Sequence, residues 1–120
     1  MKRILVVDDE EHIRLLYKEE LEEEGYEVEL AEGGEEALEK LDKLRPDLVT
    51  LDLKMPGMGG LEVLSRIREQ DKELPVIICT AYGDYKRDLT TWASDAYVVK
   101  SSDLSDLKRV IREFLENEKG

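Results

Sequence analysis

Asp8, Asp9 and Asp52 each stand where an apolar run stops. The run Ile4 to Val7 ends in the adjacent acids Asp8 and Asp9. The run Leu48 to Leu51 ends in Asp52, after which Lys54, Met55, Pro56 and Gly57 turn the chain. Two further runs end in polar groups, Val76 to Cys79 in Thr80 and Ala96 to Val99 in Lys100. Carboxylates gathered at one edge repel one another, so at neutral pH the edge must retain a proton or a cation. Magnesium suits these donors best: it takes oxygen ligands, keeps several waters, and commonly works through one or two carboxylates plus a phosphate. Calcium or manganese would substitute in vitro, although the chain has no EF-hand loop. A carboxylate beside magnesium is a nucleophile for a phosphoryl group, with Lys100 neutralising charge on the transferring oxygens and Thr80 hydrogen-bonding to another. The natural product is an aspartyl phosphate.

Such a site needs the four runs to be strands of one sheet with a common carboxyl edge. Ile4 to Val7 is continuously apolar, as a strand covered on both faces must be. Glu10 and Glu11 open a helix whose Ile13, Leu16, Tyr17 and Leu21 recur at helical spacing, and Gly25 stops it. Tyr26 to Ala31 alternates polar and apolar, which suits an edge strand. Gly33 and Gly34 lead into a second helix carrying Ala37, Leu38, Leu41 and Leu44, and Pro46 forbids its continuation. Leu61, Leu64 and Ile67 mark a third helix, and Tyr85, Leu89, Trp92 and Ala93 a short fourth one. The last helix, capped by Ser102 or Asp103, carries Leu104, Leu107, Val110, Ile111 and Phe114.

Five strands alternating with five helices predict an α/β fold of the flavodoxin-like, doubly wound (βα)5 kind, with a parallel sheet and right-handed crossovers. The alternating second strand belongs at an edge, which favours the order 2-1-3-4-5. The switch point, where ligands sit in such sheets, then falls between Asp8-Asp9 and Asp52.

With 120 residues the chain reads as one domain, 1–120, able to bury a core without metal or disulfide staples. The single cysteine, Cys79, lies inside an apolar run and reads as a core residue, compatible with a reducing compartment. No run approaches the length of a membrane helix, and Met1-Lys2-Arg3 leads straight into a strand, so the expectation is a cytoplasmic protein. A net charge of −12 argues against unaided binding to nucleic acid or anionic lipid and points to protein partners.

These ordered parts resemble the receiver domains of bacterial two-component response regulators over nearly the whole chain: Asp8-Asp9, Asp52 in LDLKMPGMGG, Thr80-Ala81 and Lys100. The resemblance implies that Asp52 accepts phosphate from a sensor histidine kinase, a histidine phosphotransfer protein or a small phosphodonor. It implies magnesium on Asp9, Asp52 and the backbone carbonyl of Lys54, with Asp8 acting through water, and Thr80 and Tyr97 as a switch pair. Within the family, PDLV-x-LD-x-K, PGM and TAYG look most like the single-domain receiver of the sporulation phosphorelay. By that likeness Ile13, Leu16, Pro56 and Tyr82 would contact a histidine-bearing partner. Lys54 and Tyr82 would flank the phosphate and impede water, giving a long-lived phosphoryl state with slow autodephosphorylation rather than an enzyme that turns over. A downstream effector protein is a further expected partner.

The chain departs from the family in two places. Lys100-Ser101-Ser102 replaces the usual lysine-proline, leaving either a trans bond with an altered loop or a cis bond costing about 3 to 4 kcal/mol. The Thr80 to Lys100 interval is also short, which places the deficit near the fourth helix. Both fall on the surface that the family uses for output, so an intact phosphoacceptor with modified switching is expected.

Blander readings stand beside these. An isolated Asp-Asp is more often a helix cap than a metal site. Tyr97 serves equally well as a strand residue, Trp92 as packing, and His12 as an exposed side chain. The glycines read as turn formers, and the acidic runs Glu19 to Glu24 and Glu35-Glu36 as solvated helix faces. Two other functions compete: a pseudo-receiver that binds proteins without phosphate, and, ranked last, a metal phosphohydrolase of the haloacid dehalogenase type. The latter family carries Asp-x-Asp where this chain has adjacent acids. Sequence leaves open the kinase, the stimulus, the target, a monomer against a weak dimer, and whether an output domain follows the tail Glu116 to Gly120.

Overall fold

A computed structural model describes residues 1–81, 95–101 and 103–116, with Thr80 by its backbone alone. The expected fourth helix, with Tyr82, Tyr85, Leu89, Trp92 and Ala93, lies outside the described residues, as do Ser102 and the tail 117–120. In order come β1 (Arg3–Val7), α1 (Glu11–Glu23), β2 (Glu27–Ala31), α2 (Gly34–Leu44), β3 (Leu48–Leu51), α3 (Gly60–Gln70), β4 (Val76–Thr80), β5 (Ala96–Val99) and α4 (Ser105–Glu116). The strands pair in parallel in the order β2-β1-β3-β4-β5, as the sequence predicts.

Strand alternation divides the core into two halves, because successive side chains on a strand point to opposite faces. Ile4, Val6, Leu48, Ile77, Cys79 and Val98 pack with Tyr17 and Leu21 of α1 and with Leu107, Ile111 and Leu115 of α4. Leu5, Val7, Val49, Leu51, Val76 and Ile78 pack with Ala37 of α2 and with Val63, Leu64 and Ile67 of α3. Helices α1 and α4 therefore cover one face, α2 and α3 the other. Ile4 to Val7 of β1 and all of β3, Thr50 included, are buried on both sides, and β2 at the edge keeps Val28 and Ala31 in while Glu27 and Glu29 are half-buried.

Two local readings change. The acidic run on α1 is not uniformly solvated: Lys108 of α4 sits 2.6 Å from Glu20, and Arg112 sits 3.7 Å from Glu24. Nor are all the glycines of PGMGG turn formers. Gly57 has φ +74° and needs a residue without Cβ, whereas a Cβ on Gly60 would lie 2.2 Å from the Asp52 carbonyl oxygen. Gly60 lets α3 start directly against the end of β3, and its N–H donates to the Leu53 carbonyl at 3.2 Å.

Just before α4, Asp103 accepts the Ser105 N–H at 3.0 Å. The carbonyl that takes the first helical bond, from the Lys108 N–H, is that of Leu104, so Asp103, expected as the cap, stands one residue ahead of the capping position. Among the described residues no peptide bond is cis, so Lys100-Ser101 takes the trans alternative.

Candidate functional site

Parallel pairing of β1 with β3 ends at Val7 and Leu51, so the next residues, Asp8 and Asp52, emerge side by side. Their backbones are pinned by continuing the ladder: the Asp8 N–H donates to Ala31 O at 3.1 Å and the Asp52 N–H to Val7 O at 3.0 Å. Asp8 and Asp52 are buried, and Asp9 is exposed. One carboxylate oxygen from each of Asp8, Asp9 and Asp52 lies within 4.8 Å of the others. Pairing of Thr80 with Val99 puts Lys100 at the same edge on β5, and its amine crosses toward β1 and β3. Lys100 Nζ is 2.8 Å from Asp8 Oδ2, 3.4 Å from Asp52 Oδ2 and 3.5 Å from Glu10 Oε1.

Backbone donors fix the other carboxylate oxygens. Asp8 Oδ1 accepts the Glu10 N–H at 2.9 Å, and Asp52 Oδ1 accepts the Lys54 N–H at 3.4 Å. The Arg14 guanidinium, one turn along α1, donates to the Asp8 carbonyl at 2.7 Å and secures the turn that carries both acids.

The electrostatics follow from three acids around one amine. Burial, then the neighbouring Asp8, push the Asp52 carboxyl up to about 6; Lys100 and the Lys54 N–H pull back only in part. For Lys100, burial opposes the charge, but the hydrogen bond to Asp8 and the fields of Asp52, Asp8 and Glu10 outweigh it and hold its pKa above the ordinary value. On the α1 side of the site lie Tyr17 and Cys79. Burial pushes both up, the thiol to about 12, so this side of the site stays neutral and dry. Hard oxygen donors converging on excess negative charge are the donor chemistry that magnesium takes.

The structure thus brings together Asp8, Asp9, Asp52 and Lys100. Lys54 stands beside them with an exposed side chain, and the backbone of Thr80 ends β4 at the same edge; the Thr80 side chain and Tyr82 lie outside the described residues. Tyr97 is half-buried opposite Ile78 and packs on the α2 and α3 side of the core. Ile13 and Leu16 are half-buried against the α1 and α4 side, while Pro56 is exposed. The outward apolar residue of α1 is Leu15, 54% exposed. Sequence reasoning missed Glu10 and Arg14 as neighbours of the site. Glu10 adjoins the acid pair, but its contact with Lys100 spans 90 residues and has no local signature.

The chain belongs to the response regulator receiver domain family, whose model matches residues 4–112. It is 38% identical over 116 residues to sporulation initiation phosphotransferase F of Bacillus subtilis, covering 95% of this chain and 94% of that one. The response regulator TrrA of Thermotoga maritima, solved in complex with Mg2+-BeF, is 55% identical with a TM-score of 0.93, covering 96% of this chain and all of that one. TrrA has also been solved in complex with the histidine kinase ThkA; that match has 54% identity and a TM-score of 0.90, covering 96% and 99%. The transcriptional regulatory protein TrcR of Mycobacterium tuberculosis is 39% identical over 115 residues, which are 94% of this chain but 45% of that protein. Among the described residues no helix is long and apolar enough to cross a membrane.

Proposed function

We propose that this chain is a phosphoaccepting signalling switch or relay in which Asp52 takes a phosphoryl group from a phosphohistidine donor. The observation that carries the reading is the buried Asp52 carboxylate, held 3.4 Å from Lys100 and within 4.8 Å of two further carboxylates. Such a group is shielded from water, ionised above about pH 6, and fixed at both oxygens. An Asp52 carboxylate oxygen attacks phosphorus, the bond from phosphorus to the donor imidazole nitrogen breaks, and that nitrogen takes up a proton from water. Lys100 offsets the charge on the phosphoryl oxygens, and Thr80 donates to another.

Asp9, Asp52 and the carbonyl of Lys54, with Asp8 through water, would hold magnesium, which supplies the positive charge that lets two anions meet. Thr80 and Tyr97 form the switch pair. Lys54 and Tyr82 slow the attack of water, so the chain acts as a slowly self-dephosphorylating switch and not a turnover enzyme. Its partners are a sensor histidine kinase or histidine phosphotransfer protein, contacted through Ile13, Leu16, Pro56 and Tyr82, and then an effector protein. The setting is cytoplasmic, and the domain spans 1–120. The kinase-bound and Mg2+-BeF-bound TrrA structures support the donor and the metal by similarity.

Intact mass after incubation with magnesium and acetyl phosphate tests this reading. The native chain should gain one phosphoryl group, and magnesium removal or Asp52→Ala should abolish the gain. A folded native chain that gains none and binds no magnesium would be a pseudo-receiver.

A further inference from the structure

Lys100 offers one amine to three acids of different burial. Asp8 and Asp52 are 3% and 5% exposed at their side chains, whereas Glu10 is 49% exposed and approaches from the solvent side. The backbone of Glu10 is fully engaged. Its N–H donates to Asp8 Oδ1, and its carbonyl accepts the N–H groups of Ile13 and Arg14 at 3.1 Å each. It occupies the N-cap position of α1 with an extended backbone, yet its side chain makes no cap hydrogen bond to the helix. That carboxylate turns instead to Lys100, at 3.5 Å.

Resting on the reading of Asp52 as phosphoacceptor, we infer that Glu10 is a positioning residue that tethers Lys100 toward the end of β1 until a phosphoryl group arrives on Asp52. Lys100 has to serve the phosphoryl oxygens once they arrive on Asp52, 3.4 Å away, and Glu10 competes with them for the same amine. The tether therefore holds back the transfer, and loosening it speeds the reaction. The effect is about two- to fivefold, the scale of a half-exposed ion pair.

A second effect of Glu10, repulsion of an anionic donor by its charge, is separable. Glu10→Asp keeps the charge but is one methylene shorter, and a contact already at 3.5 Å does not survive the loss. Glu10→Gln removes the charge. Initial rates would be followed by intact mass at saturating magnesium and fixed ionic strength, with acetyl phosphate and with the less anionic phosphoramidate, after melting curves confirm that both variants fold. A tether makes both variants about two- to fivefold faster with both donors. Overturning results are a Glu10→Asp protein as slow as native, a gain confined to acetyl phosphate, or a slower variant.

A second measurement stands apart from phosphorylation: the 15N resonance of the Lys100 ammonium in magnesium-free protein. It should shift and exchange its protons faster in Glu10→Asp, and an unchanged signal overturns the tether. If the native chain gains no phosphoryl group while this signal responds, the function reading fails and the tether stands as a resting contact.

Discussion

The two ends of the sheet use the same side chains to opposite effect. At the amino ends, charges are matched. Arg3 opens β1, pairs with Glu27 at 3.0 Å, and donates to the Leu44 carbonyl, while its N–H donates to Asp47. Asp95, just before β5, pairs with Arg68 at 2.8 Å and accepts the Val76 N–H at 2.8 Å. At the carboxyl ends, Asp8, Asp52 and Glu10 share the Lys100 amine, and an Asp9 carboxylate oxygen lies within 4.8 Å of those of Asp8 and Asp52. One end uses charge to lock strand starts together. The other holds an excess of negative charge that only a cation or a proton relieves, and that excess is its chemical capacity.

Lys100→Met gives the largest contrast. Removing the ammonium held 3.4 Å from Asp52 is expected to slow phosphorylation by acetyl phosphate about 100-fold or more at saturating magnesium, the scale of losing a preorganised charge-stabilising donor. A change of less than about threefold would break the contrast, because Lys100 would then be no more than another ion pair.

Asp95→Ala at the opposite end should show the reverse pattern. It removes an ion pair and a backbone acceptor together, so chemical denaturation should report a loss of about 1.5 to 3 kcal/mol. Phosphorylation per folded molecule should stay at the native rate. A selective loss of rate would show that the two ends are not independent.

The smallest effect has the opposite sign. Asp52 has its carboxyl near 6 in the fold against 3.8 for the ordinary group. Folding therefore favours the protonated form, and the associated stability is present below about pH 4 and lost as pH rises through about 6. In magnesium-free buffer at pH 7.5, Asp52→Asn should be more stable than native by about 1 to 2 kcal/mol, with the gain disappearing below pH 4. Destabilisation at pH 7.5 would mean that Lys100 already balances the site.

Much of this was legible in the sequence because the determining signals are local. The apolar runs of β1 and β3, each ending abruptly in acid, state both the double burial and the placing of Asp8 and Asp52. The alternation Glu27-Val28-Glu29 states an edge. What was hidden depends on distance in the chain. The Lys108 and Arg112 pairs with Glu20 and Glu24 and the reach of Lys100 to Glu10 arise only when helices and strands are packed. The Glu19 to Glu24 run reads as solvent-facing for the same reason: the cations that meet Glu20 and Glu24 come from α4, far along the chain, and among the described residues only Glu22 has a local partner, Lys18.

The charge excess at the carboxyl edge is tested most directly by titrating the Asp52 side-chain carbon by NMR, with and without magnesium. Without the metal the midpoint should lie near 6, and saturating magnesium should move it well down. A midpoint near the ordinary 3.8 that ignores magnesium would contradict both the uncompensated charge and the cation site built on it.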